Sequence, residues 1–550
     1  MIEGNGQFIS KIVRGGVKQS PFLNKLSNIL KLFQEKLNKQ WERLLFLLVV
    51  LYYPLLFSYE SWGFVYTLYV GIAQFVIAYS TVLILSFIPY RKANTVVFIV
   101  VSILTIAHSV LMLTCQVATH DPLSKDIIGA ILATNPSETK EFIDSYLTPQ
   151  VIVCCLSLVV LLALFGFLLK KVRLNVPKTI CGISFALYVV CFCLFVHNKA
   201  VVNETVVGFF CIVEDQLQKP QIKLSKTNPK LTVKQENQPP LIIWVVGEAL
   251  TNHHCSLYGY DKPTNPLLEK RLERGDIFRF TNVLSAGTGT LESFQRMMST
   301  YEKRFGDRVK WNECITFPDV ARVAGYHTTW LSNQSKSGLY DNVVSQYAEL
   351  CDTNVFIGNK YSGLQRLSYD GELLPVLKKM LRNTSGKNVF VVHLMGCHQS
   401  FNRRYPAAFQ YFKPEDYANR PVNQREKVAA YDNAVRYNDY VINSLYDLVS
   451  GRDAIVVYAP DHGLDIYESR PDFAGHVHDT NPIGIKAARD IPFLIYMTPQ
   501  FKKRHSDWVK RVKLNLDRKF DTENMIYLMM DLMNCDFTTP IVAKKSLLRL

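Results

Sequence analysis

Five uninterrupted apolar segments crowd the first part of this 550-residue chain: Trp41–Phe57, Phe64–Ile88, Val96–Cys115, Val151–Leu169 and Ile180–Val196. Each approaches the roughly 20 residues that an α-helix needs to cross a bilayer core, and each is nearly free of charge. Buried helices of a soluble protein do not cluster in this way. The chain therefore divides into a membrane half and a second half that carries its own core.

Basic residues orient the membrane half, because short loops rich in Lys and Arg stay in the cytoplasm. The arm before the first segment carries Lys11, Arg14, Lys18, Lys25, Lys31, Lys36 and Lys39. Arg91 and Lys92 follow the second segment, and Lys170, Lys171, Arg173 and Lys178 follow the fourth. All three sets fall on one side. An odd number of crossings then predicts that everything after the fifth segment lies outside the cytoplasm. No cleavable signal peptide precedes the first apolar run, which is expected to act as an uncleaved anchor. Before it, Phe22, Leu26, Ile29, Leu30, Phe33 and Leu37 recur at helical spacing among lysines, as in an interfacial amphipathic helix on an anionic leaflet.

The net charge of +15 raises the question of nucleic acid. Much of the basic excess flanks the apolar segments and no nucleic-acid motif is present, so no nucleic-acid partner is expected. Cys115, Cys154, Cys155, Cys181, Cys191 and Cys193 lie in or at the ends of apolar spans and serve as small hydrophobes. The remaining cysteines lie in the exported part, where Cys314 with Cys351 is the first disulfide to test. No C-x-x-C spacing suggests a structural zinc.

Between the third and fourth spans, Asp126–Leu147 reads as two short amphipathic helices, with Asn135, Pro136 and Glu138 as cap, first-turn proline and capping-box acid. Gln216–Pro240 is rich in Lys, Gln, Asn and Pro and reads as a linker. The expected organisation is an arm over 1–40, membrane helices over 41–198, a linker over 199–240 and a catalytic domain over 241–550. From Leu241 onward strand-like and helix-like patterns alternate, which predicts a layered α/β domain.

Several of these strands end on polar residues. LIIWVVGE ends on Glu248, NVFVVHLMGCH on His398, AIVVYAPDHG on Asp461 and His462, and HTTWLSNQSK on Asn333 and Lys336. Parallel strands bring their carboxyl ends to one edge, where ligands bind, so Glu248, His398, Asp461 and His462 are candidates for a metal site. The nucleophile candidate lies in SAGTGTLESFQRMM, Ser285–Met298, where Thr288 or Thr290 precedes a helical pattern. A threonine hydroxyl attacks readily only when a base or metal removes its proton.

Taken together, VVGE at Val245–Glu248, SLYGYDKPTNPLL at Ser256–Leu268, GTGT at Gly287–Thr290, LSNQSK at Leu331–Lys336, HLMGCH at His393–His398, AYDNAVRYNDYVI at Ala430–Ile442 and PDHG at Pro460–Gly463 resemble the bacterial inner-membrane phosphoethanolamine transferases. The five apolar segments and ATNPSE at Ala133–Glu138 belong to the same resemblance. It implies a five-helix transmembrane bundle followed by a periplasmic α/β/α domain of the alkaline-phosphatase (sulfatase-like) type. By resemblance, the metal site falls on Glu248, Thr290, Asp461 and His462, with Thr290 as the nucleophile. The implied cofactor is zinc, one tightly bound ion with room for a second, in preference to manganese or magnesium. His398 and one histidine of AGHVHD, His476 in preference to His478, match groups that hold a second metal or the substrate phosphate. His393, Asn333 and Lys336 match substrate-contacting positions.

The implied donor is phosphatidylethanolamine and the acceptor is lipopolysaccharide, at a core sugar or lipid A, or another envelope glycan. Two departures point to the branch acting on core sugars and glycans. The lipid A-modifying enzymes flank the nucleophile with a disulfide where this chain has Ala286 and Arg296, and their DHGESLGE becomes DHGLDIYESRPDFAGH here. Competing expectations are a phosphoglycerol transferase resembling lipoteichoic acid synthase, and a non-catalytic sensor with a phosphatase-like domain.

Overall fold

The structure, a computed structural model, describes residues 40–57, 64–118, 147–171, 176–197, 231–336, 343–358, 368–477, 482–537 and 542–548, with a few single residues between them. The basic arm, ATNPSE, most of the linker and His478 lie outside the described residues. The chain forms two compact units, Met1–Leu113 with Ile152–Phe209, and Thr114–Val151 with Phe210–Leu550.

The first unit contains α1 (Trp41–Tyr52), α2 (Phe64–Phe87), most of α3 (Arg91–Ala118) and of α4 (Pro149–Lys171), and α5 (Lys178–His197). Among the described residues four helices, α2 to α5, are long and apolar enough to cross a membrane. The first apolar segment departs from expectation. Its α-helix stops after 12 residues and continues as a 3-10 turn, Pro54–Phe57. Pro54 has no N–H to donate and its ring clashes with the carbonyl four residues earlier, so the α-helix ends there. Twelve residues rise about 18 Å, short of a hydrocarbon core of about 30 Å.

Trp41, Leu44, Leu47 and Leu51 form one face of α1 and pack with Ala78, Tyr79 and Val82 of α2 and Cys181 of α5. Tyr79 stacks on Tyr188 with ring centroids 4.6 Å apart. Elsewhere, apolar side chains point outward, including Ile103, Val153 and Ile183. Such surfaces suit a bilayer, which solvates them as well as a protein core would.

The second unit is built on a seven-stranded sheet of β1 (Leu241–Gly247), β2 (Ile277–Phe280), β3 (His327–Ser332), β4 (Thr353–Phe356), β5 (Asn388–His393), β6 (Ala454–Pro460) and β7 (Phe493–Met497), in the order β2-β7-β6-β1-β5-β3-β4. β6, β1, β5, β3 and β4 run parallel, and β7 pairs antiparallel with both β6 and β2. The central strands are buried on both faces. Ile242, Trp244 and Val246 of β1 enter one core, and Leu241, Ile243 and Val245 enter the other. This explains why β1, β5 and β6 read as near-continuous apolar runs rather than alternating ones.

Helices cover both faces. α6 (Thr290–Met297), α7 (Phe317–Val323) and α9 (Met525–Leu532) supply Phe294, Phe317 and Ile526 to the first core, while the 28-residue α8 (Val422–Val449) supplies Val428, Val435 and Ile442 to the second. The result is the expected three-layered α/β/α domain. The register aligns Gly247 with Pro460, Val246 with His393 and Ser332 with His393, so four parallel strands end level on one edge.

Two expectations shift at the periphery. Leu231–Val233, read as linker, forms a short strand antiparallel to Cys535–Phe537, with Leu231 and Val233 packed against the core. Cys314 and Cys351 are both free thiols. Cys314 Sγ faces the carbonyl of Lys310, and Cys351 Sγ faces that of Tyr347.

Candidate functional site

Glu248, Asp461 and His462 meet at the level edge. Each offers a ligand atom, these atoms lie within 4.8 Å of one another, and all three residues are buried. Backbone bonds lock the strand ends together. Asp461 N–H donates to Gly247 O (3.1 Å), Leu250 N–H to His462 O (3.0 Å), and Cys397 N–H to Glu248 O (2.9 Å). Gly396, with φ +53°, passes so close to Glu248 that a Cβ there would lie 2.5 Å from its carbonyl oxygen. Only glycine meets both demands.

His462 Nδ1 lies 2.7 Å from the carbonyl of Gly463, which fixes the hydrogen on that nitrogen. Nε2 then faces Glu248 Oε1 at 3.2 Å and Thr290 Oγ1 at 3.3 Å. This is the orientation in which a neutral imidazole presents its lone pair to a metal. Asp461 Oδ1 accepts the N–H of His462 (2.8 Å) and of Ala249 (3.3 Å), whereas the buried Oδ2 has no hydrogen-bond partner and lies 3.7 Å from His462 Nε2.

Among these three residues alone, a proton on His462 does the compensating that a cation would otherwise do. Burial and the negative charge of Glu248 push the Asp461 carboxyl up. Burial opposes charge on His462, but Asp461 and Glu248 outweigh it and raise its pKa. Burial would also raise Glu248, yet the hydrogen bond and charge of His462 hold it well below the usual carboxylate range. Two buried carboxylates and one ring nitrogen thus converge with too little positive charge among them. An orphaned carboxylate oxygen in such a set fits a bound divalent cation.

Thr290 is the first residue of α6, preceded by Gly289 in extended conformation without a side-chain cap. Its hydroxyl lies 3.3 Å and 3.4 Å from the two oxygens of Glu248, at the rim of the buried set. Thr288 instead donates its N–H to Glu292 Oε2 at 3.3 Å. Of the two threonines, it is Thr290 whose hydroxyl meets the cluster.

The histidines divide. His476 follows the short strand Ala474–Gly475, and its ring centroid lies 4.8 Å from that of His462 and 6.5 Å from that of His398. His398 leaves Nδ1 buried without a hydrogen bond. His393 is fully buried beneath α6, against Phe294 and Trp330, with Nδ1 3.1 Å from Ser332 Oγ. Burial pushes its pKa down to about 4, so it stays neutral.

The LSNQSK positions take separate partners. The Asn333 amide donates to Asp370 Oδ1 (2.8 Å) and Ser368 O (3.1 Å), and Asp370 in turn accepts the N–H groups of Met395 and Gly396 at 2.8 Å each. Asn333 therefore supports the turn over Glu248. Lys336 pairs with Glu349 at 3.2 Å. The residue between them, Gln334, reaches the site. Its Nε2 donates to Glu248 Oε2 and to Leu394 O, each at 3.2 Å. Strand alternation was the available signal, since Ser332 and Gln334 share a direction that Asn333 does not.

A second buried network went unread in the sequence. His254 Nδ1 lies 2.6 Å from Asp432 Oδ1 on α8, and its Nε2 lies 3.5 Å from Glu468 Oε1. Tyr260 and Tyr417 donate to Asp432 Oδ2. Burial would lower the pKa of His254, but Asp432 and Glu468 raise it to about 9. The network ties the segment after β1 and the segment after His462 to one helix.

Comparison with known proteins agrees with this architecture. A family model described as sulfatase matches residues 240–534. The phosphoethanolamine transferase EptC of Escherichia coli strain K12 is 23% identical over 476 residues, which cover 80% of this chain and 81% of that protein. Among solved structures, the integral membrane lipooligosaccharide phosphoethanolamine transferase A of Neisseria meningitidis superposes with a TM-score of 0.68 at 20% identity, covering 92% of this chain and 97% of the other. The periplasmic domain of Escherichia coli EptC in complex with zinc gives 0.53 at 24% identity, covering 58% and 89%.

Proposed function

The chain belongs to the sulfatase family, within the alkaline phosphatase superfamily, and we propose that it transfers phosphoethanolamine from phosphatidylethanolamine to lipopolysaccharide or another envelope glycan through a covalent intermediate on Thr290. The observation that carries this reading is the Thr290 hydroxyl, poised 3.3 Å from both Glu248 Oε1 and His462 Nε2 at the rim of a buried cation-binding set. Relatives named as phosphoethanolamine transferases supply the substrate class.

Glu248, Asp461 and His462 are the residues that would hold zinc, with Thr290 completing the set. Bound there, zinc supplies the Lewis acidity that makes a hydroxyl nucleophilic near neutral pH. Thr290 Oγ1 gives up its proton to water and attacks the donor phosphorus, the bond from phosphorus to the diacylglycerol oxygen breaks, and that oxygen takes up one proton to leave as diacylglycerol. His476, whose ring lies 4.8 Å from that of His462, and His398 beyond it stabilise the phosphoryl oxygens and deliver that proton in this reading. A glycan hydroxyl then attacks the same phosphorus, and Thr290 regains its proton as phosphoethanolamine departs. Attachment to helices that cross the bacterial inner membrane, with the catalytic unit in the periplasm, confines the enzyme to the surface where a lipid donor is found.

The test is incubation of the full-length protein with phosphatidylethanolamine labelled in its headgroup. A label on the Thr290 peptide that disappears in Thr290→Ala and after thorough chelation is the expected result. Label acquired from phosphatidylglycerol alone refutes the proposal. Mass spectrometry of core sugars and lipid A from cells with and without the gene separates the two acceptor classes.

A further inference from the structure

The loop entering α6 is held by side chains that return to it from the helix itself. Glu292, in the first turn, accepts the Thr288 N–H at Oε2 (3.3 Å) and pairs through Oε1 with Arg296, one turn later, at 2.5 Å. Arg296 also donates to the carbonyl oxygen of Ala286. Ala286 carbonyl, guanidinium, carboxylate and Thr288 N–H thus form a closed link around Gly287. Gly287 is the clearance for this link, because a Cβ there would lie 2.5 Å from Glu292 Oε2 and 2.8 Å from its Cδ.

Other contacts anchor the outer end of the loop. Ala286 N–H donates to Thr522 Oγ1 (2.8 Å), and Arg489 donates to Ser285 O from Nε (2.9 Å) and Nη2 (2.7 Å). Between that anchor and Thr290, Ser285 Oγ donates to Gly287 O (2.6 Å), and the link through Arg296 and Glu292 adds the bonds at Ala286 O and Thr288 N–H. Arg296 is only 9% exposed, and its Nε is buried without a partner. A guanidinium in that position is costly for the fold, so its bond to the loop is the feature that calls for explanation.

We propose that Arg296 and Glu292 are positioning residues that fix the 286–288 loop and, through it, the direction from which the Thr290 hydroxyl approaches the donor phosphorus. This rests on Thr290 being the nucleophile. The hydroxyl sits at the first position of a helix whose cap, Gly289, contributes no side chain. Loop geometry therefore sets the position of Thr290 Oγ1 relative to Glu248 and His462, and a displacement of about 1 Å can cost about 100-fold in rate.

The test compares full-length, zinc-loaded wild type with Arg296→Ala, Gly287→Ala and the double variant. The readouts are the rate at which Thr290 gains phosphoethanolamine mass at saturating phosphatidylethanolamine, the donor KM, and bound zinc. Either single change is expected to lower the maximal rate about tenfold or more, with KM and zinc content as in wild type. The double variant is expected to lose no more than the worse single variant, because both changes open one link. Arg296→Lys, which lacks the guanidinium fork, should fall between wild type and Arg296→Ala.

Wild-type rates in either single variant, multiplicative losses in the double, or a loss that tracks departure of zinc overturns the proposal. If Arg296→Ala fails to fold, Gly287→Ala decides alone, since it removes no polar group. A wild-type protein that never gains mass on Thr290 refutes the transfer reading itself, and this inference with it.

Discussion

Replacing Gln334 with leucine tests whether the buried set is organised for a cation. Gln334 Nε2 donates to Glu248 Oε2 and to Leu394 O at 3.2 Å each, and Glu248 is 1% exposed, so water cannot readily take over either bond. Leucine keeps similar bulk and leaves no new donor unpaired. It frees the Glu248 carboxylate to rotate away from His462. Removing a partner that orients a metal ligand costs about 10- to 100-fold in affinity, equivalent to about 1.4–2.8 kcal/mol. The Leu394 carbonyl, left without that donor, lowers fold stability by about 1–3 kcal/mol. Competition with a chromogenic zinc chelator measures the first effect and thermal unfolding the second. Lys336→Ala, which removes the ion pair with Glu349 and leaves Gln334 and Glu248 in place, serves as the control and should change neither zinc affinity nor stability by more than a small margin. A zinc Kd for Gln334→Leu within twofold of wild type, while Asp461→Asn loses the metal, would refute the role assigned to Gln334.

Three further outcomes are expected. Gly396→Ala places a Cβ 2.5 Å from the Glu248 carbonyl at a φ of +53°, so unfolding measurements should show a loss of about 2–4 kcal/mol, and wild-type stability would contradict the interlocked loops. Thr290→Ser should retain phosphoethanolamine transfer, whereas Thr290→Ala should reduce labelling to background while binding zinc at near wild-type stoichiometry. The pKa of His254 is raised from 6.5 to about 9, so its interaction with Asp432 and Glu468 stabilises the fold fully below pH 6.5 and is lost as pH rises through about 9. Thermal melts across that window should fall in wild type and flatten in Asp432→Asn; equal slopes would contradict the buried charge.

The convergence of the candidate site was legible because parallel topology does the assembling. Once Leu241–Gly247, Asn388–His393 and Ala454–Pro460 are adjacent strands, their ends must share an edge, and Glu248, Asp461 and His462 follow. Asn333 and Gln334 show the limit of such reasoning. Both follow the same strand, and the pleat decides which one faces Glu248, so a motif read as a unit did not single out Gln334. His254 and Asp432 could not be paired from sequence, since 178 positions separate them and neither stands in a metal-ligand spacing. Arg296 was visible as a departure at a known position, but its bond to Ala286 depends on how the loop folds back over α6. In the membrane half, apolar content located α1, while Pro54 set its end.

The strand-end bonds among Gly247, Glu248, Leu250, Cys397, Asp461 and His462 also bear on how the domain breathes. Three segments share these bonds, so none can peel away without breaking the others, and the edge should open as one cooperative unit. Hydrogen exchange at the amides of Leu250, Cys397 and Asp461 should therefore be slow and similar, approaching that of the central strands. Amides of the first turn of α8, from Val422, have no acceptor within the helix and should exchange orders of magnitude sooner. An edge of this kind keeps its geometry until the domain unfolds, so the lifetime of the site at elevated temperature is set by the whole α/β/α domain.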